Sequence, residues 1–216
     1  PTATPPAPIV VVPYCVTGLY SFGCGFPDVI TNVTFAGINN TTGTVCGQGV
    51  NLGVDPLYST PNPTVLGGVT YPISVSTGGD VEGVRAWIDY NQDGTFAATE
   101  MIPGFGGYLG TNPATYTGSV TIPLTDINGQ TRLRVRCVYS TDPSGVGPCG
   151  ATTYGEVEDY VITVAGASAP PSSTPCPGAS WTLSTSASGG GLPYTWAWTG
   201  GPLVTSNTPT VTAQPN

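Results

Sequence analysis

Residues 84–100 read VRAWIDYNQDGTFAATE and combine the pattern of a β-strand with that of a cation-binding loop. Apolar side chains alternate with Arg85 and Trp87 as far as Ile88, which is the two-residue period of a strand and not the period of a helix. Residues 101–107 (MIPGFGG) would break a helix at once. The stretch therefore predicts a loop between two strands and excludes the helix–loop–helix of an EF-hand.

The loop itself, residues 89–100, carries oxygen-bearing side chains at the positions that a calcium loop needs. Calcium takes roughly six to eight oxygen ligands, and a twelve-residue loop supplies them from positions 1, 3, 5, 7 and 12 around a glycine at position 6. The predicted ligands are the side chains of Asp89, Asn91, Asp93 and Glu100 and the backbone carbonyl of Thr95. An Asx-rich turn without metal is the alternative, since the same residues favour turns. We expect one Ca²⁺ with a structural role.

Composition favours an all-β fold. The chain has 216 residues with 31 Gly and 23 Pro, and short runs rich in Val, Ile and Tyr lie between turn residues. Strands are predicted at residues 29–35, 69–75, 84–89, 118–122, 131–139 and 158–164. Their number and spacing indicate a β-sandwich of jelly-roll or immunoglobulin-like type.

The charge balance limits the partners. The formal net charge is −8, and the basic side chains comprise four arginines, with no lysine and no histidine. Nucleic acid is held through Lys and Arg contacts to phosphate, so we expect no nucleic-acid partner. The sequence has no run of about 18 apolar residues, so we expect no membrane insertion.

Six cysteines indicate disulfides and an oxidising compartment. They are Cys15, Cys24, Cys46, Cys137, Cys149 and Cys176. A zinc site would call for histidine or a CxxC pair, and the sequence has neither. We predict a disulfide between Cys137 and Cys149, which bracket a loop rich in Pro and Gly. The pairing of the other four cysteines stays open.

Proline-rich stretches divide the chain. Residues 1–13 form a proline-rich lead, residues 14–165 a β-sandwich body, residues 166–175 (GASAPPSSTP) a linker and residues 176–216 a partial second β domain. This tail has 41 residues, whereas an immunoglobulin-like sandwich needs about 100. We expect the following segment or a neighbouring copy to complete it.

Two segments of the body carry opposite charges. Basic residues alternate in the first part of the predicted strand 131–139, at Arg132, Arg134 and Arg136. In residues 154–160 (YGEVEDY), Glu156 and Glu158 share a face in the same way. We predict that the two strands are adjacent and form an ion-pair ladder of these five residues. Solvated faces are one alternative, and Glu158 or Asp159 as an additional calcium ligand is another.

Three motifs in this order resemble the GEVED domain. They are WIDYNQDGTF at 87–96, TRLRVRCVYS at 131–140 and YGEVEDYVITV at 154–164. The opening, with YC, GC and DVITNVTFAGINNTTG, is similar to the N-terminal part of that family, and the resemblance covers Tyr14 to about Val164. The segment after Cys46 is looser than the usual pattern. The tail is similar to the start of immunoglobulin-like and PKD-like repeats. The resemblance implies an exported β-sandwich module of bacterial surface adhesins or secreted proteases.

Three functional classes follow from these observations. Catalysis is the least expected, because without histidine and lysine the common activated nucleophiles are missing. A carbohydrate-binding or accessory module of a secreted enzyme, with surface glycans as partners, is the alternative. The favoured class is a non-catalytic structural module of a cell-surface adhesin or extracellular fibre, assembled from neighbouring copies or adjacent repeats into a filament.

Overall fold

A computed structural model describes residues 14–25, 27–43, 46, 52–124 and 128–165, together with the backbone of residues 181–184 and 210–213. The body contains ten strands in chain order: β1 (Tyr20–Gly23), β2 (Val29–Phe35), β3 (Ile38–Asn40), β4 (Thr64–Leu66), β5 (Thr70–Gly78), β6 (Glu82–Ile88), β7 (Gly107–Tyr108), β8 (Thr115–Thr121), β9 (Gly129–Tyr139) and β10 (Thr152–Ala165). Two short 3₁₀ helices, Ala98–Glu100 and Pro143–Gly145, interrupt the loops.

The strands form two packed sheets, which confirms the predicted all-β sandwich. The larger sheet has the order β1-β10-β9-β6-β7, and β4 also pairs with β10. The smaller sheet has the order β3-β2-β5-β8. β10 is paired antiparallel with β9 along one edge, while β1 and β4 run parallel to it along the other. Strand β10 therefore connects β1 and β4 to the rest of the larger sheet.

Alternating apolar residues from both sheets make the main core. The larger sheet contributes Val84, Ala86, Ile88, Leu133, Val135, Cys137, Tyr160, Ile162 and Val164, and the smaller sheet contributes Ile30, Val33, Phe35, Ile38, Ile73, Val75, Tyr116 and Val120. Full burial of such a side chain stabilises the fold by about 1.5–3 kcal/mol. The strand period read from residues 84–88 therefore has its physical basis in this core.

The predicted disulfide between Cys137 and Cys149 is wrong. Cys149 is bonded to Cys15, with the Cα atoms 5.8 Å apart, and Cys24 is bonded to Cys46 at the same Cα separation. Cys137 is a free, buried cysteine. It belongs to the core with Leu133 and Val135, whereas the Cys15–Cys149 bridge lies against Arg134, whose side chain is on the opposite face of β9. Proximity in sequence was therefore a poor guide to the partner.

In the tail, strand β11 (Trp181–Ser184) pairs antiparallel with β12 (Thr210–Ala213). The rest of residues 176–216, including Cys176, lies outside the described residues, and so do the proline-rich lead and the 166–175 linker. The predicted partial immunoglobulin-like domain and its completion by a neighbour stay predictions.

Candidate metal loop and its supporting network

The loop after β6 folds around the carboxylate of Asp89. This side chain is fully buried, and its two oxygens accept hydrogen bonds from the backbone N–H groups of Asp93 (3.2 Å) and Gly94 (3.0 Å). The chain can turn so tightly because Gln92 and Gly94 take left-handed conformations, with φ of 56° and 82°. The glycine at position 6 of the motif thus has the role that the sequence pattern assigned to it.

Glu100 closes the loop from its far end. One carboxylate oxygen accepts from the N–H of Tyr90 (3.0 Å), and the other accepts from the N–H of Ala97 (2.7 Å). The loop's two other ligand side chains are exposed and bonded locally, since Asp93 accepts from the N–H of Thr95 at 2.8 Å. The first and last predicted ligands are therefore anchored in the fold, while Asn91 and Asp93 are at the surface.

The donor set of this loop fits a hard divalent cation. Three carboxylates and an amide oxygen are brought into one twelve-residue turn, and oxygen is the ligand that Ca²⁺ takes. None of the arginine–carboxylate pairs of the described residues involves these three acids. The carboxylates do not all come within 4.8 Å of one another, because Asp93 and Glu100 are turned towards N–H groups.

A tyrosine that the sequence analysis missed connects this loop to the N-terminal segment. The hydroxyl of Tyr14 donates a short hydrogen bond to Asp89, and its ring lies 5.0 Å from the ring of Phe96 in the loop. The guanidinium of Arg132 lies over the Tyr14 ring, 3.9 Å from its centroid. Burial and the neighbouring Asp89 raise the pKa of Tyr14, so the hydroxyl stays a donor. No periodic signal in the sequence marks this contact.

The arginine strand β9 meets its acid on β10, as the adjacency prediction required. Arg134 and Asp159 form a bidentate ion pair with distances of 2.7 and 2.8 Å, and Arg132 reaches the same carboxylate at 3.2 Å. Arg134 is fully buried. A planar guanidinium matched to a carboxylate is among the strongest polar contacts available to a protein.

The predicted acidic members of the ladder, Glu156 and Glu158, are wrong. In the register of β9 and β10, Glu156 is opposite Cys137 and Glu158 is opposite Val135, so both glutamates share the core face. Asp159, opposite Arg134, is on the arginine face. Side chains alternate across a strand, so a one-residue difference in register moves a residue to the other face. Glu156 and Glu158 therefore lie between the sheets.

Among the described residues, the hydrogen-bond partners of Arg136 are neutral groups. It donates to the carbonyls of Gly147 (2.8 Å) and Gly150 (2.6 Å) and to the hydroxyl of Tyr20 (3.0 Å). Arg134 likewise donates to the carbonyls of Cys15 (2.7 Å) and Pro148 (3.0 Å). The N-terminal segment and the loop before Cys149, joined by the Cys15–Cys149 disulfide, thus cover the arginine face.

The two buried glutamates lie between the sheets, where burial disfavours their charged forms. Glu156 accepts from the backbone N–H of Ile30 on the smaller sheet at 2.7 Å, and Glu158 accepts from the Tyr160 hydroxyl. Burial and the nearby Asp55 raise the pKa of Glu156 to about 10, and burial raises that of Glu158 to about 7. These partners, and the arginines around Asp159, leave neither Glu158 nor Asp159 supported as the additional calcium ligand.

A second group that resembles a metal site has another explanation. The sulfurs of Cys24 and Cys46 and a carboxylate oxygen of Glu156 lie within 4.8 Å of one another. The two sulfurs are bonded to each other, so neither is a thiolate that could bind a metal.

The glycine of the GEVED sequence is required by its surroundings. Gly155 has φ of 137°, a conformation that favours glycine. A Cβ atom at this position would lie 2.3 Å from the Cys137 carbonyl oxygen and 2.7 Å from the Tyr20 ring. Each polar residue after it has a distinct contact: Glu156 with β2, Glu158 with Tyr160, and Asp159 with the arginines.

The two packed sheets, the two disulfides and the acidic loop after β6 together define a disulfide-bonded β-sandwich module. Residues 83–163 match the family model of the GEVED domain, which supports the resemblance of the three motifs to that family. The match spans β6 to β10, while β1 to β5 complete the same two sheets. No curated protein matches the chain. Among the described residues, no helix is both long and apolar enough to cross a membrane.

Proposed function

We propose that this chain is a non-catalytic, calcium-stabilised structural module of a bacterial cell-surface adhesin or extracellular fibre. The observation that carries the proposal is the contact between Tyr14 and Asp89. It places the first predicted metal ligand against the segment that follows the proline-rich lead. A cation held there would strengthen the connection between that segment and the sandwich.

The surrounding contacts support a mechanical role. Tyr14 packs on Phe96 and under Arg132, and the next residue, Cys15, is covalently bound to Cys149. Bound Ca²⁺ would supply a fixed positive charge shared by the loop oxygens. Asp89 and Glu100 are already held by backbone N–H groups, so ordering of Asn91 and Asp93 is the main conformational cost of binding.

Two disulfides are consistent with an extracellular protein. Export to the cell surface and assembly with neighbouring copies belong to the proposal. Among the described residues of the tail, β11 and β12 pair only with each other, and a two-stranded sheet is marginally stable alone, which supports assembly by strand addition. A strand from the following segment or from another copy would extend it.

A carbohydrate-binding or accessory module of a secreted enzyme is the second candidate. The exposed aromatic side chains of Phe22, Tyr108 and Tyr139 favour it, since sugar rings stack on such surfaces. Binding to an array of bacterial and host glycans, abolished by Tyr139→Ala, would support this candidate over a purely structural role.

Single-molecule pulling of the full chain between protein handles tests the structural proposal. We expect the body to unfold at higher force in Ca²⁺ than in EDTA, because a ligand bound only by the folded state stabilises it. Asp93→Ala should unfold at the EDTA force in both buffers. Equal forces for the unaltered chain in Ca²⁺ and EDTA would overturn the calcium-stabilised module.

A further inference from the structure

The disulfide between Cys15 and Cys149 closes almost the whole body into one loop. The two residues are separated by 134 positions in sequence, yet their Cα atoms lie 5.8 Å apart. Cys15 is the second described residue of the body, and Cys149 comes three positions before β10, the strand with which the body ends. The shortest covalent path through the body therefore runs from Tyr14 through this disulfide into β10.

Residues 16–148 lie off this path. They contain strands β1 to β9, the second disulfide between Cys24 and Cys46, and the predicted calcium loop at 89–100. A disulfide holds the two ends of such a loop within a few ångströms of each other, so the backbone inside the loop does not carry tension that is applied outside it. When the chain is pulled through the proline-rich lead and the 166–175 linker, the extensible part of the body is residues 14–15 and 149–165.

Strand β10 lies on the loaded path and is anchored to both sheets. It pairs with β9 from Gly155 to Val164. Its Glu156 accepts a hydrogen bond from the N–H of Ile30 in the smaller sheet at 2.7 Å, and its Asp159 forms the bidentate ion pair with Arg134 of β9. The polar residues of the GEVED sequence therefore hold the strand on which the tension acts.

Arg134 connects the two loaded segments to each other. Its fully buried guanidinium donates to the Cys15 carbonyl at 2.7 Å and to the Asp159 carboxylate at 2.7 and 2.8 Å. Separating Cys15 from β10 breaks one of these sets of hydrogen bonds and leaves a buried charge with fewer partners. The predicted calcium loop meets the same path at Tyr14, whose hydroxyl donates to Asp89.

We propose that the Cys15–Cys149 disulfide is a mechanical bypass, which limits the extension of the body under tension to β10 and the residues beside it, and that Arg134 is the contact that joins the two loaded segments. The inference rests on the proposed structural role, because a bypass matters in a module that carries tension. It adds to that role by naming the residues that bear the load. Since a closed loop has fewer unfolded conformations than an open chain, the bypass also favours the return of residues 16–148 to the fold.

The bypass can be opened chemically, because Cys149 is exposed and a thiol reagent can reach its sulfur. Dithiothreitol supplies two electrons, converts the disulfide into two cysteine thiols and is itself oxidised to a cyclic disulfide. Reduction therefore adds the 134 bypassed positions to the loaded path. At roughly 3.4 Å per extended residue, these positions correspond to about 45 nm of chain.

The test is single-molecule pulling of the full chain between fused protein handles, with the gain in contour length as the readout. Without reductant, extension of residues 149–165 should add about 6 nm, and the tail contributes equally in every condition. With dithiothreitol, the gain should rise by about 45 nm. The double variant Cys15→Ser/Cys149→Ser should gain about 38 nm more than the parent without reductant, because the intact Cys24–Cys46 disulfide withholds 22 of the 134 positions.

Cys24→Ser/Cys46→Ser is the matched control, because it removes a disulfide that lies wholly inside the bypassed residues. Without reductant, this variant should extend as far as the parent. Asp159→Asn should lower the force of the short extension without changing its length. Asp142→Asn, whose ion pair with Arg85 lies inside the closed loop, should leave that force unchanged.

Three outcomes would overturn the bypass: full extension of the parent without reductant, no added length with dithiothreitol, and a longer extension of the Cys24→Ser/Cys46→Ser control. An unchanged force in Asp159→Asn would overturn the role of Arg134. The dithiothreitol measurement uses the parent chain, so it decides the question even if Cys15→Ser/Cys149→Ser does not fold. The lengths do not depend on calcium, so equal unfolding forces in Ca²⁺ and EDTA would remove the calcium proposal and leave the bypass standing.

Discussion

Asp159 and Arg134 form a buried bidentate ion pair across strands β9 and β10, and this pair connects the arginine face to the segments that cover it. The guanidinium also donates to carbonyls in the N-terminal segment and in the loop before Cys149. The Asp159 carboxylate thus positions Arg134, and Arg134 in turn bonds to both the N-terminal segment and the loop before Cys149.

We expect Asp159→Asn to destabilise the protein by about 3–5 kcal/mol, because the change leaves a buried guanidinium without its counter-charge. Urea unfolding followed by circular dichroism measures the effect. Asp142→Asn is the matched control: its pair with Arg85 is partly exposed, at 34% and 18%, and asparagine keeps the cap on the 3₁₀ helix. That variant should lose about 1 kcal/mol or less. Similar losses of stability in both variants would contradict the claim that Asp159 neutralises a buried charge.

Gly155→Ala should destabilise the protein by about 2 kcal/mol or more, because the new Cβ would lie 2.3 Å from the Cys137 carbonyl oxygen and the φ of 137° disfavours alanine. Gly145→Ala is the control, since nothing lies within 4 Å of a Cβ there. Thermal unfolding of the two variants checks the prediction. A Gly155→Ala protein as stable as Gly145→Ala would show that the backbone can relax at no cost.

The β-sandwich could be predicted because six strands show the two-residue period, and all six predicted ranges overlap β2, β5, β6, β8, β9 and β10. The short strands β1, β3, β4 and β7 have two to four residues each, too few to show a period. They exist because longer strands offer them backbone partners, which is information distant in sequence.

The wrong predictions at the site also depend on contacts between residues that are distant in sequence. Sequence alternation shows that Glu156 and Glu158 share a face, but only the pairing with β9 decides which face it is. The partner of Cys149 is 134 residues away in sequence, and no local spacing could reveal it. The predicted ligands of the loop, by contrast, lie within twelve consecutive residues, so the pattern that predicts them is local.

Glu82→Gln should make stability less dependent on pH. Folding raises the pKa of Glu82 from 4.5 to about 9, so the folded state binds this proton more tightly than the unfolded state. The resulting stabilisation is complete below pH 4.5 and is lost as the pH rises towards 9, with a slope of at most about 1.4 kcal/mol per pH unit. Melting temperatures at pH 5 and pH 8.5 should therefore fall more in the parent than in Glu82→Gln. An equal fall of the melting temperature in the parent and in Glu82→Gln would contradict a buried, protonated Glu82.

Cys137 should resist alkylation by iodoacetamide in the native protein and react in denaturant. It is fully buried, and burial raises the pKa of its thiol well above the usual range, so the reactive thiolate is suppressed. Peptide mapping without reduction should recover Cys15 linked to Cys149 and Cys24 linked to Cys46. Recovery of a Cys137–Cys149 peptide would contradict the structure.

The most direct measurement of the central claim is isothermal titration of Ca²⁺ into the full chain after removal of metal with EDTA. We expect one Ca²⁺ per chain, with binding abolished by Asp93→Ala, which removes an exposed loop ligand without disturbing the core. Asp80→Ala, which removes a partly exposed acid outside the loop, should bind as the parent does. Absence of saturable binding in the parent, or binding unchanged by Asp93→Ala, would contradict a calcium site in this loop.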